Sequence, residues 1–239
     1  MPVYQLDEHD LWFPPVSEAE QDPQGLLAIG GDLSVPRLLY GYQCGIFPWF
    51  SEQDPILWWA PSPRMVVAPS KVHISKSMKK FIRSTPLEVT YDQAFERVVN
   101  ACASVPRGQQ LSQESWITQS MQAAYTNLYQ GGYAHSVEVW SGASLVGGLY
   151  GVAIGRLFFG ESMFSKSSNA SKLAFIHLAE SLKSWGFVLI DCQMHTPHLE
   201  SMGATEIEMS IFQKYLGDNE IYGLESNWNQ MVKSDTKLA

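Results

Sequence analysis

At Ala134 the hydrophobic period of the chain changes from about 3.6 residues to 2, and no other feature constrains the fold as strongly. Before the switch, Ser75 predicts the N-cap of a helix running to Ser84. Asp92 to Cys102 predicts a second helix, with Phe95, Val98, Val99 and Cys102 on one face. Thr118 caps a third, with Met121, Ala124, Tyr125 and Leu128 inward and Gly131 at its end. After it, Ser136, Glu138 and Trp140 alternate with His135, Val137 and Val139. Turns at Ser141-Gly142 and Gly155 then lead into Leu145–Ala153 and Leu157–Gly160, an antiparallel meander. Ser171–Trp185 reads as a long helix and Phe187–Ile190 as a short buried strand ending at Asp191. His198–Met202 reads as a short helix, followed by a strand near Ile207 and a helix near Phe212. The class that follows is α+β.

The stretch before this regular part is dense in Pro, Gly and Trp. Ser34 and Pro36 open a short helix that Gly45 ends, Ile46–Phe50 is too aromatic for a solvent loop, and Ile56–Ala60 suits a short strand. We therefore expect a small irregular N-terminal domain over 1–69 and a second domain over 70–239. The element order of the second resembles the fold of the GCN5-related N-acetyltransferases. That fold cradles coenzyme A on a glycine-rich loop whose backbone N–H groups bind the pyrophosphate. Here the corresponding run, Ser165–Ser171, holds no glycine, which disfavours a coenzyme A donor.

Charge narrows the partners. With 24 acidic against 16 basic residues the net charge is -8, so a polyanion needs a local basic patch. Lys76, Lys79, Lys80 and Arg83 fall on one helix face, opposite Ile74, Met78, Phe81 and Ile82. That face fits nucleic-acid phosphates or simply solvent. The start of the chain lacks a basic leader and an apolar core, and no apolar run reaches membrane length, so a cytoplasmic protein without a membrane partner is expected. Cys44, Cys102 and Cys192 form no C-x-x-C pair, which suits reduced thiols and offers no metal motif. His73, His135, His177, His195 and His198 show no arrangement with a carboxylate and a nucleophile, so structural or surface roles are expected of them. Hydrolase, nucleotide-loop and zinc-protease signatures are absent.

Several stretches carry a more specific likeness. These are Gly25–Leu33 as G-L-L-A-I-G-G-D-L, Tyr42–Phe50 as Y-Q-C-G-I-F-P-W-F, Trp58–Pro61 and His135–Trp140 as H-S-V-E-V-W. Gly147–Val152, Phe159–Ser165 and Leu189–Gln193 complete the set. In this order, from about Phe13 to Leu216, the chain resembles the bacterial leucyl/phenylalanyl-tRNA-protein transferases. The resemblance implies transfer of Leu or Phe, and less readily Met, from aminoacyl-tRNA to proteins beginning with Arg or Lys, which marks them for N-end-rule degradation. The ester donor is already activated and the α-amine has a pKa of about 8, so neither a cofactor nor a metal is required.

The resemblance also implies residue roles. Leu149, Phe158, Met163, Phe175, Leu178 and Ile190 would line an apolar pocket for the amino acid, although any of them can be ordinary core. Trp49 and Trp116 would hold the terminal adenosine, where stacking contributes about 1–3 kcal/mol per base. Gln193 would orient the attacking amine or accept its proton, positioning being favoured because an amide is a poor base; Asp191 would support it electrostatically, and Glu161 would hold the acceptor's positive N-terminal residue. Lys76, Lys79, Lys80 and Arg83 would meet tRNA phosphates. The approach to Trp116 over Arg107–Ser115 is longer than the family's usual loop. Two rival readings stay open, an N-acetyltransferase and a non-catalytic RNA-binding or adaptor protein.

Overall fold

The computed structural model describes residues 3–104, 116–226, 228 and 232, so the Arg107–Ser115 loop lies outside the described residues. A small sheet forms first, from β1 (Tyr4–Leu6), β2 (Leu26–Gly30), β3 (Phe47–Pro48) and β4 (Leu57–Trp59) in the order β1-β2-β4-β3. Between β2 and β3 runs α1 (Val35–Cys44), capped as expected: the Ser34 side chain accepts from the Arg37 N–H, and Gly45 ends it at φ 80°. The buried Arg37 guanidinium donates to the carbonyls of Asp7 and Asp10 at 2.7 and 3.0 Å, tying the first residues to α1.

The larger sheet has the order β11-β5-β10-β9-β8-β7-β6. Its strands are β5 (Arg64–Val67), β6 (Glu88–Tyr91), β7 (Ala134–Ser141), β8 (Ser144–Ile154), β9 (Leu157–Ser165), β10 (Leu189–Gln193) and β11 (Thr205–Ile207). Helices α2 (Lys76–Ser84), α3 (Phe95–Ser104), α4 (Gln119–Gln130), α5 (Ala170–Ser184), α6 (Pro197–Ser201) and α7 (Met209–Asn219) pack around it. The expected meander is present as β7, β8 and β9, and α5 carries the chain across to β10, which pairs parallel with β9. The class is α+β, as the period switch indicates.

Two strands of the large sheet were not expected, nor were β1, β2 and β3 of the small one. β5, which precedes residue 69, sits inside the large sheet between β10 and β11, and β6 extends the meander by pairing with β7. The helix expected from Asp92 begins instead at Phe95, because Asp92 adopts φ 56° and turns its carboxylate to the Ser136 N–H at 2.7 Å and to His135 Nδ1 at 2.8 Å. The same carboxylate accepts from the indole N–H of Trp228 at 2.8 Å, whose buried ring stacks on His135. His135 is thus a core residue held through Nδ1, in keeping with the structural role expected of it.

Both faces of the sheet are covered. Val137, Val139, Leu149, Phe158 and Ile190 join the cluster that holds Leu173, Phe175 and Leu178 of α5. Tyr150, Val152, Phe159 and Phe164 join the opposite cluster, with α3, α4 and the small sheet. Ser136 and Glu138 are therefore buried, and Glu138 is satisfied by Ser136 Oγ, Thr90 Oγ1 and the Ala94 N–H. A Cβ on Gly147 would lie 2.5 Å from the Ala170 Cβ, so glycine there lets the start of α5 sit directly on β8. Among the described residues no helix is long and apolar enough to cross a membrane.

Candidate active site

The parallel strands β9 and β10 pair only from Leu157 to Phe159 and from Leu189 to Asp191. β9 continues to Ser165, yet among the described residues no strand lies against it on that side beyond Phe159. Two irregularities open the gap. Opposite Tyr150 and Gly151, β9 holds one extra residue, Glu161, and opposite Val66 and Met65, β10 holds one extra residue, Cys192. Bulges of this kind bend a strand and re-aim a side chain. Gln193 then adopts φ 64°, so the regular strand geometry that would align its side chain with that of Asp191 does not continue. The two lips of the opening carry Glu161 and Gln193.

Glu161 is 9% exposed and held by three neutral donors. Its Oε1 accepts from the Tyr42 hydroxyl at 2.8 Å and from Gln193 Nε2 at 2.9 Å, and its Oε2 accepts from the Tyr125 hydroxyl at 2.6 Å. Tyr42 comes from the last turn of α1 and Tyr125 from the inward face of α4, so the small sheet's helix and the large sheet meet at this carboxylate. Among the described residues no cation pairs with it. Burial pushes its pKa up to about 7, against the lowering effect of the two phenols.

Asp191 stands in the opposite environment. Its carboxylate receives Arg64 Nε at 2.9 Å and Nη2 at 2.7 Å, with side chains 0% and 1% exposed. The guanidinium lies between the rings of Phe47 and Phe212, at 4.8 and 4.9 Å from their centroids. Asp191 Oδ1 also accepts the Gln193 backbone N–H at 2.9 Å. The aspartate therefore fixes the turn that delivers Gln193, and Gln193 in turn reaches Glu161. The thiol of Cys192, between them, is pushed far up by burial, which disfavours a thiolate nucleophile.

The six expected pocket residues do come together. Leu149 and Met163 are register partners on β8 and β9, Phe158 and Ile190 on β9 and β10, and Phe175 and Leu178 project from α5 into the same cluster. All but Met163 are fully buried. Trp49 is 36% exposed and meets Trp59 edge to face, while Trp116 packs against the cluster on the other side of the sheet. Lys76, Lys79, Lys80 and Arg83 are all exposed on α2, whose Met78 is buried. Sequence reasoning missed Arg64, Tyr42 and Tyr125 as site residues. Helical periodicity points Tyr125 inward, but nothing local announces its partner.

Replacing Arg64 by Met should cost about 3–5 kcal/mol, because it strands the Asp191 carboxylate in the interior. Urea unfolding measures this, and a loss below about 1 kcal/mol would contradict the buried pairing.

Comparison with known proteins agrees along the chain. The family model "Leucyl/phenylalanyl-tRNA protein transferase" matches residues 66–217, and that of the N-terminal domain of the same family matches residues 31–62. A leucyl/phenylalanyl-tRNA--protein transferase of Pseudomonas syringae pv. syringae is 52% identical over 224 residues, covering 94% of this chain and 96% of its own. One from Hahella chejuensis is 53% identical over 216 residues, covering 90% and 91%. Among solved structures, a GCN5-related N-acetyltransferase from Kribbella flavida matches with a TM-score of 0.36 at 10% identity, covering 70% of this chain and 58% of that one. The larger family match takes in Glu161, Asp191 and Gln193, Arg64 falls between the two, and this protein belongs to the leucyl/phenylalanyl-tRNA protein transferase family.

Proposed function

We propose that the protein transfers Leu or Phe, and less readily Met, from aminoacyl-tRNA to the α-amine of proteins that begin with Arg or Lys, in the cytoplasm, and so marks them for N-end-rule degradation. The observation that carries this reading is Glu161, a buried carboxylate whose donors are all neutral. A carboxylate with no cation of its own, at an opening in the sheet, suits a positively charged partner from outside.

The remaining roles follow from position. Phe158, Met163, Leu149, Phe175, Leu178 and Ile190 receive the amino-acid side chain beside the opening. Trp49 and Trp116 offer faces to the terminal adenosine, and Lys76, Lys79, Lys80 and Arg83 meet phosphates of the tRNA. Gln193 orients the attacking amine, and Asp191 acts through the turn it holds rather than by touching substrate. Because the donor ester is activated, positioning supplies much of the catalysis and no cofactor enters the scheme.

Incubation with labelled Phe-tRNA, Leu-tRNA or acetyl coenzyme A and a peptide beginning with Arg should move label from the charged tRNAs. Label arriving only from acetyl coenzyme A would favour an N-acetyltransferase, and none arriving would favour a non-catalytic RNA-binding role. Lys79→Glu combined with Lys80→Glu should lower the use of charged tRNA by about tenfold or more and make its salt dependence shallower by about 1–2 log units per log unit of salt. Unchanged kinetics at moderate salt would remove α2 from the tRNA interface.

A further inference from the structure

Three side chains at the centre of the site lie in mutual hydrogen-bond contact. Tyr42 and Tyr125 hydroxyls are 2.7 Å apart, Tyr42 is 2.8 Å from Glu161 Oε1, and Tyr125 is 2.6 Å from Glu161 Oε2. Each contact needs one proton. The two phenols bring two, and both keep them, because burial and the neighbouring carboxylate push their pKa values well above normal. An ionised carboxylate brings none. With Glu161 ionised, one of the three contacts is therefore a pair of facing lone pairs.

A third proton closes the ring. Oε2–H donates to Tyr125, Tyr125 to Tyr42, and Tyr42 to Oε1, which still accepts from Gln193 Nε2. We infer that Tyr42, Tyr125 and Glu161 form a proton-holding ring that takes the proton released by the acceptor's α-ammonium, with Glu161 as the base and the two tyrosines as positioning residues. This rests on the proposed function, and it refines the role of Glu161 from holding the acceptor's charge to removing it.

Ionised Glu161 uses three of about four acceptor positions, so one on Oε2 is open to an amine N–H. The step balances. The ammonium gives one proton to Glu161 and becomes a free amine, and its nitrogen bonds to the ester carbonyl carbon. The carbon–oxygen bond to the ribose then breaks, a second amine proton goes to the ribose oxygen, and Glu161 returns its proton to water. The Glu161 pKa of about 7 lies close to that of an α-amine, about 8, so the transfer is nearly balanced. The other groups facing the ring are Tyr150 of β8, beside both phenols, and Asp191 of β10, which is tied to Arg64 of β5; Asp191 favours the protonated form of Glu161.

The test is kcat/KM against pH for Phe-tRNA and an Arg-leading peptide, with wild type and Glu161→Gln. Wild type should rise through about pH 7 and then stay level. Glu161→Gln should rise only through about pH 8, with the peptide's own amine, so the ratio of the two is on the order of fivefold larger at pH 7 than at pH 9. Infrared titration of the wild type should show a protonated carboxyl band that is absent in Glu161→Gln and moves to higher frequency in Tyr42→Phe, which removes a donor to the carbonyl oxygen. A ratio constant with pH, or a band that Tyr42→Phe leaves in place, would overturn the ring while leaving the proposed function standing. Absence of transfer by the wild type at every pH would instead remove the proposed function.

Discussion

The buried pair of Arg64 and Asp191 holds the rest of the site in place. Taking both charges from water costs several kcal/mol per ion, and only a bidentate geometry with further hydrogen bonds offsets that. Here the guanidinium forks onto both carboxylate oxygens and lies between Phe47 of the small sheet and Phe212 of α7. One side chain thereby joins β5, β10, the N-terminal sheet and the last long helix. The spare capacity of Asp191 Oδ1 goes to the Gln193 N–H, which stabilises the positive φ at which β10 turns away from β9. A strand without that turn would continue alongside β9 and close the opening.

Two carboxylates hydrogen-bonded to Gln193 at this turn are treated differently, and the contrast organises the chemistry. Asp191 meets a guanidinium and is committed on both oxygens. Glu161 meets phenols and an amide, carries no partner cation among the described residues, and is pushed up to about 7 by burial. The partners of the two acids assign Asp191 to structure and leave Glu161 for proton handling. The basic face of α2 lies on another helix of an otherwise acidic chain, which separates the surface suited to a polyanion from the groups suited to an amine.

Much of the fold was legible in the sequence, because hydrophobic period reports local geometry. The meander from Ala134, the long α5 helix and the caps at Ser34, Ser75 and Thr118 all follow from it. β5 was not legible, since Arg64–Val67 is too short to show a period and follows Pro61 and Pro63. The site was legible in part. The resemblance pointed to Glu161, Asp191 and Gln193, but a buried Arg64 reads as a surface cation until its partner 127 residues away is seen. Tyr42 and Tyr125 likewise read as core aromatics, because their hydroxyl partners lie on other elements. Asp92 reads as the start of α3 because an acidic residue before an apolar stripe suits a cap, whereas tertiary bonds to Ser136 and His135 claim it.

The proposed function requires the aminoacyl ester to be held where β9 and β10 part. A crystal structure with a non-hydrolysable aminoacyl-adenosine analogue tests it most directly. The amino-acid side chain should lie among Phe158, Met163 and Phe175, with its carbonyl carbon at the opening between Glu161 and Gln193. An analogue bound elsewhere, with the opening empty, would contradict it.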